Sequence, residues 1–257
     1  MLRFKKFFSF ILILLIFVAC SSKDNTIVAP VAVSTLPKTM TVVSYNKKYP
    51  TTFDYTWKDG LLVSFTETTL NTTTNKDFVL NYEMTRNSKK QIQSTKYSYK
   101  GADYADGSDN WDYVYNADGS KITFSGYAWT FNSFGNVSLL NYGSSIYAGT
   151  ISPEYDASNQ LTKLRWKEGS YLDVTYTLNA FTTIENPLYN IAKSSQFLNL
   201  IYNTTQLPIT FSMFIPKSFN NGSIDNIVTY DLDTQKRVNS ITVTNNGIVA
   251  KKFTFAY

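Results

Sequence analysis

Histidine is absent from the 257 residues. Ser-His-Asp and Cys-His machinery are thereby excluded. Zinc and iron centres, which mostly use imidazole, lose their commonest ligand. Cysteine occurs once, at Cys20, so no internal disulfide can form and the fold must stand on packing and backbone hydrogen bonds. The excess of positive charge is small: Lys+Arg 24 against Asp+Glu 19, or +5. An apolar run long enough to span a bilayer is missing too. The longest, Phe7–Val18, falls short of the about 20 residues a spanning helix needs, and the polar run Ser21–Asn25 stops it abruptly.

What is present at the start of the chain has a clear order. Arg3, Lys5 and Lys6 form a basic segment, Phe7–Val18 an apolar one, and Ala19 is a small residue before Cys20. This is the layout of a secretory signal. Phe17-Val18-Ala19-Cys20 resembles the lipobox of bacterial lipoproteins, which implies cleavage before Cys20 and a lipid on its sulfur. The reading is residues 1–19 as signal, with Cys20 as lipid attachment point and new N-terminus. Ser21 stands where Asp would favour inner-membrane retention, so the resemblance implies the outer membrane. Ser21-Ser22-Lys23-Asp24 is similar to the surface-export signal of Bacteroidetes lipoproteins, which leaves the periplasmic and the surface face both open. Losing Arg3, Lys5 and Lys6 with the signal takes the charge from +5 to +2. A near-neutral chain offers no electrostatic case for nucleic acid.

Residues 20–38 are polar and small, with Pro30 and Pro37 and no sustained periodicity. They read as a tether with a reach of roughly 25 Å. From Thr39 alternation takes over, and one unit recurs: an aromatic pair, a polar turn with Asp, Asn or Gly, then an apolar strand. Copies run from Tyr55 to Phe65, Tyr113 to Phe124 and Trp129 to Leu139. Looser copies run from Tyr155 to Leu164 and Tyr230 to Val238. Gly and Asn supply the positive φ of tight hairpin turns. Each copy reads as a β-hairpin and the series as a meander. Uneven spacing argues against a propeller of equal blades.

The repeated unit resembles the degenerate Tyr-Asp (YD, RHS-like) repeats of Bacteroidetes lipoproteins of unknown function. The resemblance spans most of residues 39–257 and implies one β-rich domain. Lys252–Tyr257 is similar to the closing strand of that family. One segment breaks the series. Asn186 can cap a helix and Pro187 suits its first turn. Leu188, Ile191, Ala192, Ser195, Leu198 and Ile201 then follow at offsets of three and four. A helix over Asn186–Tyr202 is expected; the resemblance also implies an Asn-Pro-led segment. The expected fold is mainly β: a long, curved antiparallel meander, open and half-barrel-like, with this one amphipathic helix packed on its concave face.

Three constellations could carry chemistry. Asp103, Asp106, Asp109 and Asp112 recur every third residue near Gly101 and Gly107. Their spacing is not that of an EF-hand and no glutamate closes the loop, so a solvated loop is expected and no metal site. Trp111, Tyr113 and Tyr115 share one strand face, as do Tyr127, Trp129 and Phe131. Such stripes serve as sugar platforms or, more often, as core and cross-strand ladders. The residues read as candidate ligand contacts are Trp111, Tyr113, Tyr127 and Trp129. Asp54, Glu67, Asp173 and Glu185 could in principle form an acid–base pair, but they sit on different strands and nothing in the sequence unites them. No catalysis and no cofactor are expected. The reading is therefore a non-catalytic outer-membrane lipoprotein with a binding or scaffolding domain, partnered by the membrane through Cys20 and by a glycan or an envelope protein. Glycan binding through the stripes, or carriage of an apolar molecule beneath the helix, are the alternatives.

Overall fold

The computed structural model describes residues 35–257, except 46–48, 72–75, 102–105, 144–147 and 197–207. The signal, Cys20 and most of the tether lie outside the described residues, as does Asp103. Ser34–Tyr257 is one compact unit. Its strands are β1 (Thr39–Ser44), β2 (Thr51–Lys58), β3 (Leu61–Asn71), β4 (Lys76–Arg86), β5 (Ile92–Lys100), β6 (Gly107–Asp112), β7 (Val114–Tyr115), β8 (Lys121–Phe124) and β9 (Tyr127–Phe131). They continue as β10 (Val137–Tyr142), β11 (Gly149–Tyr155), β12 (Leu161–Glu168), β13 (Leu172–Glu185), β14 (Phe214–Asn220), β15 (Asp225–Leu232), β16 (Val238–Asn245) and β17 (Ile248–Ala256). Helix α1 (Pro187–Ser194) and a 3-10 turn at Ile209–Phe211 fall between β13 and β14.

The meander is antiparallel throughout, and it curls until its ends meet. Each strand pairs with the next in sequence, and β17 pairs β1 from Thr39↔Ala256 to Ser44↔Lys251. The one step without a ladder, β6 to β7, is a single strand interrupted at Tyr113: β6 pairs β5 and β7 pairs β8. The expected half-barrel thus closes into a barrel-like ring.

Four of the hairpin turns share one device. In the β4–β5, β9–β10, β11–β12 and β15–β16 hairpins an Asn or Asp opens the turn: Asn87, Asn132, Asp156 and Asp233. Its Oδ1 accepts the N–H groups two and four residues on, all at 2.8–3.0 Å. The fourth residue takes a left-handed conformation: Lys90 at φ 63°, Gly135 at 74°, Asn159 at 61°, Lys236 at 62°. The β7–β8 turn divides the task, with Asn116 accepting from Lys121 N and Asp118 from Ser120 N. Asx side chains compete well for nearby backbone donors, which makes these turns local and repeatable. Each of the four hairpins also carries a register shift in the ladder beside its turn, the bulge that adds twist. All five turns lie at one end of the barrel, where the chain also enters: Lys38 N donates to Ala256 O at 2.8 Å and Trp57 Nε1 to Pro37 O at 2.7 Å.

Residues 186–196 and 208–213 pack over that end. Asn186 Oδ1 accepts from Leu188 N, and its Nδ2 donates to Ile209 O and Ser212 O. One buried side chain therefore caps α1 and ties it to the 3-10 turn. Leu188, Tyr189, Ile191 and Ala192 are each at most 3% exposed and join the barrel core. Arg86 donates to Leu62 O, Lys90 O and Ser194 O. Gln196 Oε1 accepts from Ile92 N and Tyr115 OH, and Tyr189 OH donates to Asn136 Oδ1. The helix thus reaches the ends of five strands. It stops at Ser194, shorter than expected; Leu198 and Ile201 lie outside the described residues.

The two faces of the wall differ sharply. Outward positions in register across β2–β5 are polar: Asp54, Thr66, Asn81 and Ser98 form one row. Ser152, Arg165 and Thr175 form another across β11–β13, with Arg165 paired to Asp173 at 2.7 Å. Inward positions are apolar or aromatic. Exposed apolar exceptions on the strands are Val43 on β1, Val114 on β7, Ile227 and Leu232 on β15, and Ile248 and Val249 on β17, and among the described residues they form no belt around the ring.

Candidate functional site at the open end of the barrel

Inward-facing side chains change character along the barrel. Near the capped end Leu62, Ile92, Ile122, Val137 and Leu161 are all 0% exposed. Toward the opposite end the same face is half-buried: Leu80, Tyr97, Tyr99, Trp111, Tyr127, Tyr142, Trp166 and Tyr176. Among the described residues the lumen is filled at one end and its lining is more exposed toward the other. That more exposed end, the mouth, is lined among the described residues by aromatic rings and by Glu67, Asp109 and Glu168, which continue the inward rows of Phe65, Trp111 and Trp166.

One wall is an aromatic ladder across strands. Tyr55, Phe65, Tyr82, Tyr97, Trp111, Phe124 and Tyr127 follow one another at centroid spacings of 4.2–6.2 Å. Burial raises the hydroxyls of Tyr55, Tyr82 and Tyr97 above the ordinary tyrosine range, and the Glu67 carboxylate adds to it in each. These groups stay neutral and serve as packing. Asp109 Oδ2 accepts from Trp111 Nε1 at 3.2 Å, which holds the indole edge.

The four residues singled out from the stripes separate here. Trp129 is 0% and Tyr113 7% exposed, so both are core and neither can meet a ligand. Tyr113 donates to Thr95 Oγ1. Trp111 and Tyr127 are half-buried, but their ring faces are occupied. Trp111 stacks on Tyr97 at 5.4 Å and 13°, and Tyr127 on Phe124 at 5.0 Å and 10°. Stacked rings across strands turn edges, not faces, toward the lumen. This departs from the sequence reading for a physical reason: alternation reports which face a residue shares, not what covers its ring. Asp106, Asp109 and Asp112 are exposed, and no metal-holding cluster occurs among the described residues. Of the carboxylates weighed for catalysis, Asp54 and Asp173 face outward and Glu67 inward.

The opposite wall holds a constellation the sequence reading missed. Trp166 on β12 faces the lumen beside Val174 and Ile151. Its Nε1–H donates to Tyr142 Oη, and the Tyr142 hydroxyl donates to Glu168 Oε2 at 3.1 Å. Burial raises the Tyr142 hydroxyl above its usual range; the Trp166 N–H opposes this and Glu168 reinforces it. Tyr142 can lie there because its ladder partner is Gly149. A Cβ on Gly149 would sit 2.3 Å from Tyr142 Cζ. Tyr99 over Gly107 repeats the arrangement on the ladder wall. The available signal was a tyrosine a few residues before a glycine in two successive strands, each followed by a Trp two residues from an acid.

At the capped end two polar grooves of about 410 and 290 Å³ run between the Asx turns, one beside Lys193 and Gln196, the other beside Tyr115 and Lys89.

No protein-family model matches the chain, and no curated protein matches it. Two solved structures, described as porin-like proteins of Bacteroides uniformis and Bacteroides vulgatus, superpose with TM-scores of 0.45 and 0.42 at 14% and 12% identity. The alignments cover 86% and 87% of this chain and 97% and 99% of those chains. Likeness of that degree establishes neither a shared fold nor a shared activity.

Proposed function

We propose that this protein is a non-catalytic envelope module, held to the outer membrane by lipid on Cys20, whose barrel stands in water and binds or scaffolds a partner. The observation that carries this reading is the inverted wall. A membrane-spanning barrel presents an apolar band about 25 Å tall to lipid and keeps a polar interior. Here Thr, Ser, Asn, Lys and Glu face out and the aromatic ladder faces in. A row such as Asp54–Thr66–Asn81–Ser98 cannot face hydrocarbon without stranding charges and hydroxyls. Such a barrel needs another attachment to the membrane, and the Arg3–Cys20 order supplies one. The carrier alternative has no support among the described residues, since the space under α1 is filled by Leu188, Tyr189 and Ile191.

The test is fractionation of Cys20→Ser in the native host. A lipid-anchored, water-borne barrel leaves the membrane fraction, or stays as unprocessed precursor, and its barrel remains folded by circular dichroism. A membrane-spanning barrel stays in the outer membrane whatever residue 20 is, and unchanged fractionation with unchanged intact mass would sink the reading.

A further inference from the structure

We infer that the mouth of the barrel is a sugar-binding site centred on Trp166 and Glu168, selecting glycan units without acidic groups. The inference rests on the reading of a water-borne barrel and deepens it by naming the ligand class.

Three observations lead there. First, Trp166 lies half-buried at the margin of the core with no aromatic ring contact among the described residues, whereas Trp57, Trp111 and Trp129 each have one. A pyranose ring lays its C–H face on such a surface, and an indole gives the largest flat area at small entropic cost. Second, the ring is fixed before any ligand arrives. Its N–H is held by Tyr142, Tyr142 is held by Glu168, and Gly149 leaves room for the tyrosine. Preorganisation of this kind lowers the cost of binding. Third, the donors of the set are spent on one another. Trp166 gives its hydrogen to Tyr142 and Tyr142 gives its own to Glu168, so Glu168 Oε1 and the remaining lone pairs accept. The site is complementary to a ligand with a flat apolar face and hydroxyl donors at its edge.

The charge around the mouth sets the selectivity. Glu67, Asp109 and Glu168 lie on inward rows at this end of the barrel, against Lys251, which is 9% exposed and lies over Phe253, and Lys76, which continues the inward row of Phe78. A half-closed mouth with apolar walls concentrates that negative field. Uronic and sulfated sugars are repelled, and neutral sugars are not. Small organic cations also suit an acidic aromatic mouth, so they form the competing outcome of the test.

The experiment is electrophoresis of the folded protein through native gels containing a neutral polysaccharide (a glucan, a mannan or a xylan), polygalacturonate, or nothing. Retardation by a neutral polysaccharide and none by polygalacturonate is expected. Trp166→Ala should weaken that retardation about tenfold or more, as for a central aromatic anchor, and Tyr115→Phe, at the capped end, should not. Glu168→Gln should weaken it with little change in melting temperature, which keeps the test valid if Trp166→Ala is too unstable to run. The inference is overturned if no neutral polysaccharide retards the protein, or if Trp166→Ala binds like the wild type. Quenching of tryptophan fluorescence by spermine or choline, without any effect of sugars, overturns it in favour of organic cations. These outcomes are separable from the Cys20→Ser result: a released barrel that ignores sugars removes the ligand and leaves the module.

Discussion

Trp129 offers the sharpest test of how the core is built. Its ring is 0% exposed and lies against Phe124 at 5.0 Å and 18°, with Tyr127 at 5.9 Å. Its Nε1–H is buried and has no acceptor among the described residues. Trp129→Ala removes the ring and leaves a cavity, at a cost of about 3–5 kcal/mol. For a domain of this length each kcal/mol moves Tm by roughly 2–4 °C, so a fall of about 6–20 °C is expected. Trp129→Phe is a different perturbation. It loses part of the ring, costing about 1–2 kcal/mol by the same cavity scale. It also removes a donor whose burial without a partner costs about 1–3 kcal/mol. The two terms nearly cancel, and Trp129→Phe should lie within about 1 kcal/mol of wild type. Urea unfolding followed by far-ultraviolet circular dichroism reads both variants. If Phe proves as costly as Ala, the indole N–H has a partner and the reasoning fails. If Ala shifts Tm by under about 2 °C, Trp129 is not core.

Two further outcomes follow from the turns and the tyrosines. Asp156→Ala strips the acceptor from Ser158 N and Gln160 N and should cost about 1–2 kcal/mol. Asp156→Asn should be nearly silent, because Asn132 does the same work; equal melting curves for Ala and Asn would show that these side chains do not hold the turns. Burial pushes the hydroxyls of Tyr113 and Tyr115 up to about 12 against their hydrogen bonds to Thr95 and Gln196, and that of Tyr257 to about 12 against Arg237. Each folded-state value lies above the unfolded value of about 10. The stability these groups contribute is therefore complete below about pH 10 and is lost as pH rises toward about 12. Absorbance at 295 nm should show a class of tyrosines that ionise only with unfolding, and a single reversible titration near the ordinary value for all of them would contradict the burial.

Local chemistry was legible and closure was not. Tyr155-Asp156 with Asn159 announces its hairpin, and Asn186-Pro187 announces its helix start, because each device acts within four residues. Lys90 and Lys236 show the limit. They hold the left-handed position that Gly or Asn would advertise, since the Asx side chain and the bulge fix the backbone around them. The second role of Asn186, donating to Ile209 and Ser212, was invisible because it links residues across the cap. The same holds for Trp166, Tyr142 and Glu168. Their meeting depends on the register of β10, β11 and β12, which the sequence pattern does not specify. Alternation placed Trp111 with Tyr113, and Tyr127 with Trp129, on a shared strand face, but only the ladder shows which rings are covered.

The pairing of β1 with β17 has a consequence for how the chain acquires its fold. Hairpins between sequence neighbours can form as soon as both strands exist. The seam cannot: Met40 must wait for Phe255, and Val42 for Phe253. Until then the sheet carries two unpaired margins whose N–H and C=O groups can recruit another chain, and pairing across so long a loop is slow. Passage of an unfolded chain across a membrane would prolong that interval. Loss of Lys252–Ala256 should therefore harm the yield of monomer far more than the few contacts it deletes would indicate, because it leaves the ring unzipped and both margins open.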